Sequence, residues 1–150
     1  MLDQLGYRAV YRGTPRNQDG FYVANARVQD SRYNTPAGMG GWAADYSNPD
    51  DFIGVLLSCQ AFHPADPNNL NAAELCDPEL DRIAQAARTA QATDPALSST
   101  FWQKADQRAT DQAPWLMMTS GIGVDTVSKR VGNYQHSVQW GMLLDQLWVR

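Results

Sequence analysis

The sequence has little of what catalysis usually draws on. It holds two histidines, His63 and His136, and two cysteines, Cys59 and Cys76, in 150 residues. His63 sits in a Pro/Asn loop and His136 in a polar turn, neither at a Cys–His spacing that suits zinc. No metal site and no cofactor is therefore expected. No Gly-x-Ser-x-Gly elbow is present to support a nucleophilic serine. Gly38-Met39-Gly40-Gly41 is followed by no capped helix, which excludes a phosphate-binding loop or dinucleotide fingerprint. No catalytic residue is assigned. Asp50-Asp51 could serve as paired carboxylates, and a small α/β hydrolase using Asp45 with Asp50 or Asp51 is the enzymatic alternative. More simply, the pair caps a helix beginning there, favoured by the positive end of its dipole.

Long apolar runs are also missing, since none approaches the roughly 20 residues a membrane helix needs. Met1 to Gly6 has neither a basic region nor an apolar core, so it does not read as a signal peptide. Positive charge is in short supply: Lys and Arg number 12 against 16 Asp and Glu, a net charge of −4. That balance argues against nucleic acid as a partner. The charges are uneven, with five arginines (8, 12, 16, 27 and 32) before residue 33 and eleven acids against four bases between Ala43 and Asp111. The acidic middle reads as solvated helix faces, with a cation-attracting cleft as the alternative.

What is present reads as alternating helices and strands. Leu2 to Leu5 followed by Gly6 is a helix end with a glycine C-cap. Tyr7 to Arg12 is a strand, and a short helix is expected around Phe21 to Arg27. Gly38 to Tyr46 reads as a strand with close backbone approach, Ser47 to Asp50 as a turn, and Asp51 to Leu57 as a helix. His63 to Asn71 is a loop. Asp77-Pro78 and Asp94-Pro95 each place an N-cap aspartate before a first-turn proline. The first helix carries the stripe Leu80, Ile83, Ala84 and Ala87, and the second Leu97, Phe101, Ala105 and Ala109. Pro114 ends the second, and 115–119, 123–127 and 143–149 read as strands. The class is α/β or α+β. A Cys59–Cys76 bridge would remove unfolded-state entropy worth about 3 kcal/mol; two lone thiols fit the count equally well.

One segment is specific. Gly41-Trp42-Ala43-Ala44-Asp45-Tyr46-Ser47-Asn48-Pro49-Asp50-Asp51-Phe52 resembles the W-x-A-D-Y-x-x-P-x-x-F stretch of peptide/nickel-type (family 5) extracytoplasmic solute-binding proteins of ABC transporters. Its neighbours agree in order: Leu5-Gly6-Tyr7, then Leu57-Ser58-Cys59, Asn69, Cys76-Asp77-Pro78-Glu79-Leu80-Asp81, Ala113-Pro114-Trp115 and Leu143 to Val149. The resemblance implies an α/β chain that is the C-terminal portion of a type II two-lobe periplasmic-binding fold, with a mixed sheet and flanking helices. Residues 1–118 would belong to the second lobe and 119–150 to a tail returning toward the first.

The same resemblance implies clamshell binding of a small peptide or other solute, without catalysis, and delivery to an ABC permease. Asp45 would pair with the ligand's α-ammonium, and Trp42 and Tyr46 would line the site. It favours a Cys59–Cys76 disulfide, formed in an oxidising envelope or extracellular compartment. Membrane attachment would come only through a lipid anchor that this chain does not hold. Ser47-Asn48 departs from many relatives, which leaves an oligosaccharide, a metal chelate or a lobe remnant that binds nothing as alternatives. Without the first lobe, Trp115, Met117, Met118, Leu143, Leu144, Leu147 and Trp148 would be uncovered, which invites association.

Overall fold

The computed structural model describes residues 3–10, 18–119, 121–137 and 139–150. Four helices are found among them: α1 (Gln18–Gln29), α2 (Asp50–Leu57), α3 (Pro78–Ala90) and α4 (Pro95–Gln112). Strands β1 (Val131–Gly132) and β4 (Trp148–Val149) pair antiparallel, as do β2 (His136–Ser137) and β3 (Gly141–Met142). Helices and strands both occur, as the sequence leads one to expect. The β part consists of two small antiparallel ribbons.

The two Asp-Pro signals form as read. Asp77 accepts the Glu79 N–H at 3.0 Å and Asp94 the Leu97 N–H at 2.9 Å, with proline in the first turn of each helix. Each carboxylate satisfies a donor that the helix itself cannot. Helix α4 stops at Ala113, whose φ of 48° lets its N–H return to the Thr110 carbonyl. That left-handed residue and Pro114 close the helix together.

Three helices make the core. Ile53, Leu56 and Leu57 of α2 meet Leu80, Ala84 and Ala87 of α3 and Trp102, Ala105 and Ala109 of α4. The alanines keep the α3–α4 contact thin, and one large ring fills what remains. The α3 stripe is as read, with Ile83 half-buried at its border. The α4 stripe is not. Leu97 is 44% exposed and Phe101 half-buried, whereas Ser98 and Trp102 join Ala105 and Ala109 inside. The helix is turned by about one position because Ser98 Oγ donates to the Ala87 carbonyl at 2.8 Å and Trp102 supplies more apolar area than Phe101.

The segment between Cys59 and Cys76 is organised by asparagines, although past the 3₁₀ turn Cys59–Ala61 it lacks regular elements. The disulfide forms, with sulfurs 2.11 Å apart. Asn69 and Asn71 are fully buried. Asn69 donates to the carbonyls of Gln29 and Asn71 and accepts the His63 N–H. Asn71 donates to Ser58 and Leu75 and accepts the Leu75 N–H. Two side chains thereby satisfy backbone groups that no helix or sheet serves here.

Several expected strands do not form. Residues 7–10, 38–46, 115–119 and 123–127 carry no strand pairing, and Tyr11 and Arg12 lie outside the described residues. Leu116, Met117, Ile122 and Val124 are each at least 80% exposed. A strand exists only through a ladder, and the described residues offer these segments no partner. Residues 143–149 form a 3₁₀ turn, Leu144–Gln146, followed by β4. Around 3–6 the expected helix end is a 3₁₀ turn, Asp3–Leu5, closed by Gly6 at φ 85°; Leu2 lies outside the described residues.

Asp77 also ties α3 to α4. Arg108 approaches it at 2.5 Å and the Gln112 amide donates to the same carboxylate. The Arg108 hydrogen bond, aided by the Gln112 bond and opposed by burial, lowers the Asp77 pKa from 3.8 to about 2. A depressed folded-state pKa stabilises the fold above the unfolded value, and that stability disappears as pH falls from about 4 through about 2. Asp77→Asn should flatten this part of the pH profile. In denaturation series between pH 5 and 2 the parent chain should lose about 1–2 kcal/mol more than the variant, the lower figure reflecting solvent at Arg108. Parallel profiles would refute the assignment.

Candidate functional site around Trp42, Asp45 and Asp51

The site grows from the turn that enters α2. Asn48 uses its side-chain oxygen to accept the Asp50 N–H at 2.9 Å and its carbonyl to accept the Asp51 N–H at 3.1 Å. The capping role expected of Asp50-Asp51 therefore falls to Asn48. The two aspartates occupy the first turn, where the dipole favours carboxylates. Their side chains then part. Asp50 forms an ion pair with Arg88 of α3 at 2.5 Å, fastening α2 to α3. Both carboxylates make structural contacts within the chain.

Asp51 turns back from the helix and is 1% exposed. Its Oδ2 accepts the Asp45 N–H at 2.7 Å and the Trp42 indole N–H at 3.3 Å. On its other side, the Asp45 carbonyl accepts the side-chain amide of Gln139. Both backbone polar groups of Asp45 are thus held by other residues. The Asp45 side chain is exposed, and its carboxylate has no hydrogen bond or ion pair among the described residues.

Trp42 is half-buried and packs against the three-helix core. Tyr46 lies 41% exposed on the wall of an open depression of about 270 Å³, which it shares with Ser47, Pro49, Phe52 and Gln139. Burial, then the Asp50 and Asp51 carboxylates, push its phenol pKa up, so it stays a neutral hydroxyl. The three residues singled out in the sequence are therefore neighbours along one turn, Trp42 on its core side and Asp45 and Tyr46 on its open side.

Two contributors escaped the sequence reading. Asp51 looked like a helix-start residue, and nothing in its spacing revealed that its carboxylate reaches back to residues 42 and 45. Gln139 lies 94 positions from Asp45 and carries no local signal. Among the described residues no group of three His, Cys, Asp or Glu side chains is placed to hold a metal ion.

No protein-family profile matches the chain, and no solved structure matches it. Curated proteins do. Di/tripeptide-binding protein 4 of Pseudomonas aeruginosa is 33% identical over 76 residues, 51% of this chain and 13% of that protein. The probable ABC transporter periplasmic-binding protein SapA of Escherichia coli is 29% identical over 97 residues, 65% of this chain and 16% of that protein. Heme-binding protein A of Haemophilus influenzae is 26% identical over 125 residues, 83% of this chain and 22% of that protein. In each case the chain spans less than a quarter of the relative. These relatives support the resemblance of the chain to the peptide/nickel-type (family 5) extracytoplasmic solute-binding proteins of ABC transporters.

Proposed function

We propose that the chain is the C-terminal portion of a two-lobe, type II solute-binding protein that captures small peptides in the cell envelope for an ABC permease. It acts by binding and performs no reaction. Residues 1–118 contribute to one lobe, built on a mixed sheet that other parts of the protein complete, and 119–150 return toward the other lobe. The observation that carries this reading is the Asp45 carboxylate, exposed and unengaged among the described residues while its backbone is held on both sides. Lobe closure would exclude water from that carboxylate and strengthen a charge-assisted bond to a ligand α-ammonium. Trp42 and Tyr46 would supply the apolar and hydroxyl-bearing walls for the adjoining side chain.

The relatives named for di- and tripeptides favour a short peptide. The heme-binding relative keeps a non-peptide solute as the second reading. Calorimetry on the complete protein separates them. Di- and tripeptides should bind, and N-acetylation, which removes the ammonium charge, should weaken them by tenfold or more, about 1.4 kcal/mol or above. Equal affinity for free and acetylated peptides would exclude Asp45–ammonium pairing. Heme binding without peptide binding would select the second reading.

A further inference from the structure

We infer that Asp51 is a positioning residue that couples Trp42 and Asp45 into one recognition unit. The inference rests on the peptide reading above and deepens it. A single oxygen of Asp51 receives both the Asp45 N–H and the Trp42 indole N–H. The residue is almost fully buried, and its second oxygen has no partner among the described residues. A buried acceptor left short of donors normally costs stability. For a helix-start carboxylate the cheaper arrangement is outward, in water, with the same dipole contact. Asp51 instead points inward and commits its charge to two groups six and nine residues earlier in the chain: the backbone of one site residue and the ring of another.

The geometry has a direct consequence. Rotation of the Trp42 ring and displacement of the Asp45 backbone each break a bond to the same atom, so any shift of the Asp51 carboxylate disturbs both. The Asp45 carboxylate is thereby aimed without being touched, and its charge stays free for a ligand. Gln139 adds a restraint at the Asp45 carbonyl from the opposite side of the residue. Removing Asp51 leaves the ligand-pairing charge in place but loosens its aim. Affinity should fall while the ammonium requirement persists, a pattern distinct from loss of the charge itself.

The test uses the complete protein with Asp51→Ala, Asp51→Ser and Asp51→Asn, and Asp50→Ala as a control that breaks the neighbouring Arg88 pair. Two readouts are taken: exchange of the Asp45 amide and the Trp42 indole proton by NMR, and affinity for alanyl dipeptides by calorimetry. In the Ala and Ser variants both protons should exchange faster, and dipeptide affinity should fall by about tenfold to a hundredfold, the scale for losing a residue that orients a binding group. Asn retains one accepting oxygen and should restore both readouts to within a few-fold of the parent. Asp50→Ala should lower the melting temperature and leave affinity unchanged. Should Ala fail to fold, Ser and Asn still separate the outcomes. Accelerated exchange with unchanged affinity, or unchanged exchange in Ser, overturns the inference. A parent protein that binds no dipeptide removes the peptide reading instead, and exchange alone then decides whether Asp51 couples the two residues.

Discussion

Asp45→Asn in the complete protein should cost roughly 2–5 kcal/mol of peptide affinity, the scale for removing one partner of a desolvated charge pair, and leave the melting temperature where it was. The structure explains why the two effects separate. What Asp45 gives the fold comes through its backbone, whose N–H meets Asp51 and whose carbonyl meets Gln139. Asparagine keeps that backbone and nearly the same shape. Only the carboxylate charge is lost, and among the described residues it stabilises nothing within the chain. In the closed carrier the ligand ammonium would then be buried against a neutral amide, which repays little of its desolvation. Trp42→Ala should differ in kind. It opens a pocket without removing charge, so its penalty should vary with the peptide side chain. Calorimetry across a small peptide library distinguishes the two patterns. If Asp45→Asn binds every peptide as the parent does, the ligand carries no ammonium at this point or another residue meets it.

Trp102→Ala is expected to be the most damaging single truncation in the helical body, at about 3–5 kcal/mol for emptying a large aromatic site in a core. Trp102 is 6% exposed and faces Leu80, Ala84 and Ala87 as part of one cluster. Its neighbours on α3 and α4 are largely alanines, which are too short to collapse into the space. Trp102→Phe should cost much less than the full truncation. The indole N–H is buried without an acceptor among the described residues, so phenylalanine loses some area and also removes an unsatisfied donor. Chemical denaturation of both variants gives the comparison. A Phe variant as unstable as the Ala variant would mean that the indole nitrogen has a partner in solution and that ring volume is not what matters here.

Local chemistry was readable in the sequence. Asp77-Pro78 and Asp94-Pro95 predict helix starts because an N-cap carboxylate and a first-turn proline act within four residues, and both helices begin there. Pro114 and Gly6 mark ends for the same reason. The Gly41–Phe52 signature and the ordered segments around it gave the family resemblance, which the curated relatives support. The disulfide followed from that resemblance, not from spacing, which had left two free thiols equally open.

The remaining features belong to tertiary contact. Strand expectations for 38–46, 115–119 and 123–127 failed because a strand is a relation between two segments, and apolar alternation names only one of them. Which face of α4 turns inward was decided by Ser98 reaching the Ala87 carbonyl and by the volume of Trp102, since Leu97 and Phe101 fit the helical period equally well. Asn69 and Asn71 read as loop residues because burial of an amide depends on carbonyls brought to it by the fold. The same holds at the candidate site. Trp42 and Asp45 were legible as a motif, but the Asp51 oxygen that joins them and the Gln139 amide that closes on Asp45 are set only when the chain has folded back on itself, because hydrogen bonds select partners by distance in space.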